Sequence, residues 1–472
     1  MNANKPSTME TARAAAVRIG AALSGDQALF ERSFSGVSTD SRSVAPGELF
    51  VALSGPNFDG HAFVPKAVER GAAAALVSRA QDLPLPQLPL PQLLVPDTLA
   101  ALQAYAASWR AEFSLPLIGV TGSNGKTTVK QMLAAVLAPL GPVLATAGNY
   151  NNHIGVPLTL CRLRAEHRAA VIEMGANHRG EIAQLADIAR PNIGVVTQAG
   201  DAHLEGFGSR EGVARGKGEL FAALADEAVA IINADDVQAP LWLELAGGSR
   251  VIRFGLSADA DVRAEDIQGL PAEAPAEMHF TIHAFGARAA VRLPLPGRHN
   301  VLNALAATAA ALAAGLELDQ IAQGLAQVQP AGGRLSWKAG RHGTRVLDDS
   351  YNANPTSLQA ALQVLAQCAP PRWVVLGDMA ELGQDADELH VEAGFAARSL
   401  GVERLYSVGR YARSASVGFG RGGRDFADVD ALARTLQDEI EPGVSVLVKG
   451  SRSARMERVV AALTGSVVGG GH

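Results

Sequence analysis

The sequence predicts an α/β protein of three domains. They are a small N-terminal α/β domain, a central parallel-sheet domain carrying a phosphate-binding loop, and a C-terminal Rossmann-like α/β layer. Three observations carry this. An apolar run, Leu115 to Val120, leads into Thr121-Gly122-Ser123-Asn124-Gly125-Lys126-Thr127-Thr128 and then into a helical pattern. Short apolar runs then alternate with helical stretches, the signature of a parallel sheet. A second such alternation follows about Gly333, without a glycine loop of its own. The 472 residues suit about three domains.

Residues 1 to about 112 form the first unit. Met9 to Leu23 reads as an Ala-rich helix, Gly47 to Leu53 as a turn and strand, Ala72 to Val77 as a strand. Asp59-Gly60-His61 is a turn before a helix, and Asp97 caps a helix running to about Glu112. Between them, Leu83 to Gln92 repeats Leu-Pro-Leu-Pro-Gln twice. That proline density predicts an extended surface loop, most simply a local duplication without function.

The second unit spans about 113 to 332. After the loop, Val129, Met132, Leu133, Val136, Leu137 and Leu140 recur at helical spacing, and Gly141 stops the helix. The glycines free backbone N–H groups to surround an anion, and the helix N-terminus adds partial positive charge. Lys126 is placed to reach terminal phosphates, and the Thr127 hydroxyl to ligate Mg²⁺. The usual first glycine of this pattern is Val120 here, so the match rests on its strand–turn–helix context. Strands are expected at Ala169–Glu173, Ile193–Thr197 and Ala228–Asn233. Ligands collect at the carboxyl ends of such strands, where Glu173 and then His203 lie. A further helix opens at Gly297-Arg298-His299-Asn300.

The third unit runs from about Gly333 to the end. Strands are expected at Arg345–Asp349, Trp373–Gly377, Arg404–Val408 and Val444–Lys449, and Asn354-Pro355 is a helix start. The Gly469-Gly470-Gly471 tail is expected to be disordered.

Composition narrows the function classes. A net charge of −6 argues against non-specific nucleic-acid binding. Cys161 and Cys368, the only cysteines, lack metal-ligand spacing and fit a reducing compartment. Residues 1–24 lack the apolar core of a signal peptide, and no apolar run reaches the ~18 residues of a membrane helix.

Several residues invite a chemical reading beside a plainer one. Glu173 ends an apolar strand, where a carboxylate needs a partner or a metal; beside a phosphate loop Mg²⁺ is the better reading. His203 is either a ligand or an ordinary hydrogen-bonded histidine, with His178 competing. Lys217 reads as an exposed helix lysine unless carbamylated to an anion. His299 and Asn303 are candidate purine contacts, against helix capping by Asn300. Arg334 is a candidate phosphate clamp. Asp348-Asp349 could bind a ribose diol or form a solvated turn.

The segments TGSNGKTT (121–128), GNYNNHIGVPLTL (148–160), EMGANHRGEI (173–182), DAHLEGFGS (201–209), GRHNVLN (297–303), DDSYNANP (348–355), LGDMAELG (376–383) and VKGSRSARME (448–457) together resemble the Mur ligase family. These are ATP-dependent cytoplasmic ligases of peptidoglycan precursors. The likeness spans nearly the whole chain. It implies a domain at 1–112 that holds a UDP-linked substrate through Ser38, Asp40, Ser41, Arg42, Asp59, Gly60 and His61. It implies an ATPase domain at 113–332 and a closing domain at 333–472. Residues Gly122 to Thr128 would hold ATP, with Lys126 and Thr127 at the phosphates and Mg²⁺, Glu173 and His203 would hold a second Mg²⁺, Lys217 would be a carbamylated lysine at the metal site, Asn303 (with His299) would meet adenine, Arg334 the γ-phosphate and Asp349 the ribose. Asn152, Tyr351 and Asn354 would also bind substrate. The 348–355 and 376–383 segments point to the member that joins D-alanyl-D-alanine to UDP-N-acetylmuramoyl-tripeptide, expected to act as a monomer without nucleic acid or membrane span. His153 stands where the family is often acidic. A tripeptide-forming relative, folylpolyglutamate synthase, a P-loop kinase or motor, and a non-catalytic nucleotide binder are the rival readings.

Overall fold

The computed structural model describes residues 8–81, 90–269, 277–330 and 332–466. Its contacts divide the chain into two units, Met1–Gly119 with Leu140–Gly175 and Ala183–Asn192, and Val120–Pro139 with Ala176–Ile182 and Ile193–His472.

The N-terminal segment builds a five-stranded sheet from β1 (Ala22–Ser24), β2 (Val37–Ser38), β3 (Leu49–Val51), β6 (Ala74–Val77) and β7 (Gln92–Leu94), in the order β1-β7-β6-β3-β2. A hairpin of β4 (Ser54–Gly55) and β5 (Phe58–Asp59) stands apart. Within the five-stranded sheet all pairings are parallel except β1–β7. The expected N-terminal helix is shorter, Ala12–Ile19, because Gly20 ends it in the left-handed region. Asp97 caps Thr98–Arg110 by accepting from the N–H groups of Leu99 and Ala100. The Leu-Pro repeat lies mostly outside the described residues. Its end is not a surface loop: Leu90 is buried in the apolar cluster beside the sheet, and Gln92 opens β7 with its buried side chain bonded to the Gln81 backbone.

The central segment forms a nine-stranded sheet. Its strands are β8 (Leu117–Thr121), β9 (Val143–Ala145), β10 (Ala169–Glu173), β11 (Ile193–Val196), β12 (Val229–Asn233), β13 (Arg250–Gly255), β14 (Val262–Gly269), β15 (Met278–Ala284) and β16 (Ala287–Leu293). The order is β16-β15-β14-β13-β12-β11-β8-β10-β9. The predicted parallel core is present, but β14–β15 and β15–β16 pair antiparallel. The sheet is therefore mixed. Along β16 the burial alternates, as a strand with one wet face requires.

The C-terminal sheet comprises β17 (Ser336–Ala339), β18 (Arg345–Asp349), β19 (Arg372–Gly377), β20 (Arg404–Val408), β21 (Gly423–Phe426) and β22 (Ser445–Lys449), ordered β17-β18-β22-β19-β20-β21. Only β17 is antiparallel among its pairings. Two apolar clusters cover its two faces. One contains Leu347, Leu358, Leu362 and Leu405; the other contains Val346, Trp373, Leu436 and Val459. Alternate residues of β18 thus feed opposite layers, the doubly wound arrangement. Among the described residues, no helix is long and apolar enough to cross a membrane.

Candidate functional site

The loop between β8 and the helix Lys126–Val136 is built by two glycines in the left-handed range. Gly122 has φ +139° and Gly125 φ +85°. A Cβ on Gly122 would stand 1.9 Å from Thr197 Oγ1, and one on Gly125 2.4 Å from Asn303 Oδ1. Both positions therefore demand glycine for backbone and for space. The loop is braced from β11: Ser123 N–H donates to Gln198 O at 2.9 Å, and Thr197 Oγ1 donates to Asn124 O at 2.6 Å. Ser123 Oγ and Gly200 exchange two further bonds. Lys126 Nζ folds back onto Gly122 O at 2.7 Å, the pose of a lysine lying along its own loop. Thr127 and Thr128 form the first turn behind it, partly buried.

The C-terminal segment reaches the same loop. Asn354 accepts from Ser357 N–H to cap Pro355–Leu365, and its amide donates to Asn124 Oδ1 at 2.8 Å. Thr356 lies against Asp201, whose N–H donates to Thr356 Oγ1 at 3.3 Å.

Lys217 was expected on an exposed helix face; it is instead fully buried. Its helix, Arg210–Ala222, packs that face inward through Gly212, Gly216 and Gly218, which leave no room for a Cβ. Its Nζ donates to Ala176 O at 2.9 Å and sits 4.9 Å from the Phe207 ring centre. Burial, and next the charge of Lys126, pull the ammonium down to about 7. A substantial neutral fraction therefore exists near neutral pH.

His203 begins the short helix Leu204–Phe207 with φ +56°. Its Nδ1 lies against a carboxylate oxygen of Glu381. That contact outweighs the partial burial of Glu381, which acts the other way, and holds the Glu381 carboxyl below the usual range. His178 is exposed and pairs with Glu181 at 3.2 Å, which makes it an ordinary surface histidine.

Asn303 donates to Asn300 Oδ1 at 3.1 Å, while Asn300 donates to Pro296 O at 2.7 Å. The two asparagines share the work: Asn300 holds the helix start and Asn303 faces Gly125. His299 is pushed down to about 4, first by burial, so it is neutral at pH 7. Arg334 stacks over Tyr351 at 4.1 Å. Asp349 is no solvated turn. The parallel register sets it beside Lys449, and the two form a buried ion pair, with Lys449 also donating to Asn352 O. Asp349 Oδ1 accepts from Leu335 N–H at 3.2 Å. Asp348 pairs with Lys338 at 2.7 Å.

Glu173 closes β10, buried, with Asn151 Nδ2 donating to its Oε1 at 2.8 Å. Thr146 Oγ1 accepts its N–H. In the N-terminal segment Asp59 caps the turn Gly60–Phe63 and binds His61 Nδ1 at 2.6 Å, while buried His61 Nε2 accepts from Ser78 N–H. Asp40 and Arg42 form an exposed pair at 2.8 Å, Ser38 Oγ accepts from Asp40 N–H, and Ser41 is buried. Asn152 Oδ1 is engaged by the N–H groups of Ile154 and Gly155. His153 is exposed.

Three sequence profiles match in succession: the Mur ligase family catalytic domain over residues 33–110, the Mur ligase middle domain over 120–311, and the Mur ligase glutamate ligase domain over 333–452. The chain is also 44% identical over 444 residues to UDP-N-acetylmuramoyl-tripeptide–D-alanyl-D-alanine ligase of Escherichia coli (strain K12), covering 93% of this chain and 96% of that protein. The chain belongs to the Mur ligase family. Its likeness to the Bacillus subtilis (strain 168) ligase of the same name is 36% over 90% of this chain and 92% of that one. Among solved Mur ligases, a crystal structure of MurF from Acinetobacter baumannii superposes with a TM-score of 0.88 at 36% identity, over 97% of this chain and 99% of that one. MurF from Thermotoga maritima, solved in complex with ADP, gives 0.79 at 28%, over 90% and 96%. Folylpolyglutamate synthase of Mycobacterium tuberculosis, at 19% identity and a TM-score of 0.62 over 77% of this chain and 94% of that one, shares the fold alone.

The residues that sequence reasoning missed are supports rather than ligands. Thr197 braces the loop, Asn151 holds Glu173, Lys449 neutralises Asp349, and Glu381 meets His203. Glu381 lay within a segment already singled out, LGDMAELG, but nothing local tied it to a histidine 178 positions earlier.

Proposed function

We propose that this protein is an ATP-dependent ligase that joins D-alanyl-D-alanine to the tripeptide carboxylate of UDP-N-acetylmuramoyl-tripeptide, in peptidoglycan precursor synthesis. The observation that carries the reading is the loop 121–128, whose two glycines admit no side chain, in a chain 44% identical along its length to a ligase of that name. The division into substrate (1–112), nucleotide (113–332) and closing (333–472) domains belongs to the same proposal. So does a cytoplasmic monomer.

The residues suit a nucleoside triphosphate and Mg²⁺. The loop offers backbone N–H groups and the helix N-terminus to phosphate oxygens, and Lys126 and Arg334 add charge. Asn303 and His299 would face adenine, and Asp349, whose Oδ2 meets Lys449 and whose Oδ1 accepts from Leu335 N–H, has a lone pair left on each oxygen for a ribose hydroxyl. Among the described residues no group of three or more His, Cys, Asp or Glu side chains forms a ready metal cage. Mg²⁺ in such sites takes one or two protein ligands and completes its shell with phosphate and water; Thr127 would serve one Mg²⁺ at the phosphates, and Glu173 with His203 a second. Lys217, neutral in part near pH 7, can add CO₂ and become an anionic carbamate. The bound ion would supply charge neutralisation between phosphate and carboxylate.

Amide formation from a carboxylate and an amine is uphill, so the carboxylate is activated first. A tripeptide carboxylate oxygen attacks the γ-phosphorus, ADP leaves, and an acyl phosphate forms. The neutral dipeptide amine attacks its carbonyl carbon, loses a proton, and the tetrahedral intermediate expels phosphate. Lys126 and Arg334 act where the negative charge accumulates. Ser38, Asp40, Ser41, Arg42 and the Asp59-Gly60-His61 turn would hold the UDP end; Asn152, Tyr351 and Asn354 would position the acceptors.

The test is phosphate release by purified protein with ATP, the UDP-linked tripeptide and D-alanyl-D-alanine. One phosphate per amide is expected, and Lys126→Ala should cut the rate on the order of 10²–10³-fold, the scale of losing one charge-stabilising donor. Phosphate release that ignores the dipeptide would overturn the assignment.

A further inference from the structure

The stretch between β18 and the helix Pro355–Leu365 is short and tied along its length. At its start Asp349 meets Lys449, and Lys449 Nζ also donates to Asn352 O at 2.9 Å. In its middle Tyr351 N–H donates to Gly333 O at 3.0 Å, and Arg334 lies over the Tyr351 ring. At its end Asn354, buried, caps the helix. Asp349 and Arg334, the groups read as meeting ribose and γ-phosphate, are therefore held by the same ordered stretch that ends at Asn354.

The Asn354 amide is directed at both ends. Its Oδ1 accepts from Ser357 N–H at 2.8 Å, which fixes where the oxygen lies. Nδ2 then donates to Asn124 Oδ1 at 2.8 Å, and Asn124 Nδ2 donates back to Asn354 Oδ1 at 3.3 Å. Both lone pairs of Asn354 Oδ1 are used, and one Nδ2 proton remains for a substrate. Capping needs only the oxygen, and serine would serve as well. The amide nitrogen does something else: it reaches a phosphate-loop residue 230 positions earlier.

A second contact runs beside the first. Asp201 N–H donates to Thr356 Oγ1 at 3.3 Å, and a Cβ on Gly200 would come within 2.9 Å of the same oxygen. Gly200 is in turn bonded to Ser123 of the phosphate loop. The first turn of the helix thus meets the loop directly through Asn124 and indirectly through Gly200. All of these residues lie in the second unit.

We infer that Asn124 and Asn354 are a pair of positioning residues: their side-chain amides join the phosphate loop to the 349–354 stretch, so that the loop, Asp349 and Arg334 take hold of one nucleotide together. The Asn124 side chain then serves this junction rather than the nucleotide, and Asn354 raises nucleotide affinity without touching the nucleotide. The inference rests on the reading of residues 121–128 as the nucleotide site. The joined arrangement and the bound nucleotide favour each other, so severing the pair weakens nucleotide binding by the same factor that the nucleotide strengthens the pair.

The experiment uses the full chain, with Asn124→Ala, Asn354→Ser, the two combined, and Lys126→Ala, each checked for a parental melting profile. Serine keeps a cap oxygen and lacks the amide. The readout is ADP affinity by calorimetric titration with neither co-substrate present, where a lost substrate contact does not register. Each single asparagine variant should weaken ADP binding roughly 5–50-fold, within the usual range of coupling between sites. The combined variant should bind no more weakly than the weaker single, since both changes cut one pair. Thr356→Val leaves the Asn354 cap in place, removes the neighbouring contact, and should weaken ADP binding severalfold. Parental ADP affinity in Asn354→Ser leaves that residue a cap alone and overturns the pair. Losses that multiply in the combined variant make the two asparagines independent and overturn it as well. Parental ADP affinity in Lys126→Ala overturns instead the nucleotide reading beneath it.

Discussion

Replacing Gly122 by alanine tests the phosphate loop at its tightest point. The new Cβ would lie 1.9 Å from Thr197 Oγ1, with the backbone nitrogens of Thr197 and Gln198 at 3.1 and 3.2 Å. The hydroxyl could turn aside only by giving up its bonds to Asn124 O and Thr121 O, a loss of about 0.5–1.5 kcal/mol. A φ of +139° adds strain of order 1–3 kcal/mol for any side chain. Together these predict roughly 2–4 kcal/mol of destabilisation, and a loop forced open enough to lose ADP. Gly180→Ala is the control, because Gly180 also has positive φ but nothing within 4 Å of its Cβ. Urea unfolding should separate the two variants by the contact energy, and calorimetric titration should show ADP binding weakened in Gly122→Ala alone. Adding Thr197→Ala should recover only part of the loss, since the backbone nitrogens remain. Equal costs at Gly122 and Gly180, with ADP bound equally well, would refute the reasoning.

Two further predictions follow from buried charges. Lys449 is buried with Asp349 as its carboxylate partner, so Asp349→Ala should cost about 3–5 kcal/mol, and Asp349→Leu with Lys449→Met should regain most of it in thermal melts; a single variant as stable as the parent would contradict this. Lys217, whose folded value is about 7 against an ordinary 10.5, binds fewer protons folded than unfolded between those values, so its burden on stability is full below pH 7 and fades as pH rises toward 10. Lys217→Met in bicarbonate-free buffer should therefore be more stable than the parent, most clearly at pH 6 and least at pH 10, when denaturant unfolding is compared across that range.

The loop was legible because its signal is local: glycines, lysine and threonine between an apolar run and a helical period. The strand Ala169–Glu173 was legible for the same reason, as a short apolar run, and Arg345–Asp349 and Arg404–Val408 through the apolar pairs Val346-Leu347 and Leu405-Tyr406. The extension β13 to β16 was not read. Its alternation is present in Met278–Ala284, where Met278, Phe280 and Ile282 point inward, but polar residues between them weaken any run of hydrophobicity. The burial of Lys217 was illegible because it depends on glycines of its own helix packing against Phe207, Trp242 and Leu245. Asp349 looked like a turn because the lysine that neutralises it lies 100 positions away, on a strand adjacent only in the folded sheet. The candidate ligands could be named from the chain; the partners that orient them could not, since those come from other loops.

The most direct measurement follows heavy oxygen from the tripeptide carboxylate. If the nucleotide held at residues 121–128 activates that acid as a mixed anhydride, one labelled oxygen should appear in each phosphate released as the dipeptide is joined. Phosphate free of label, with ligation proceeding normally, would contradict the account.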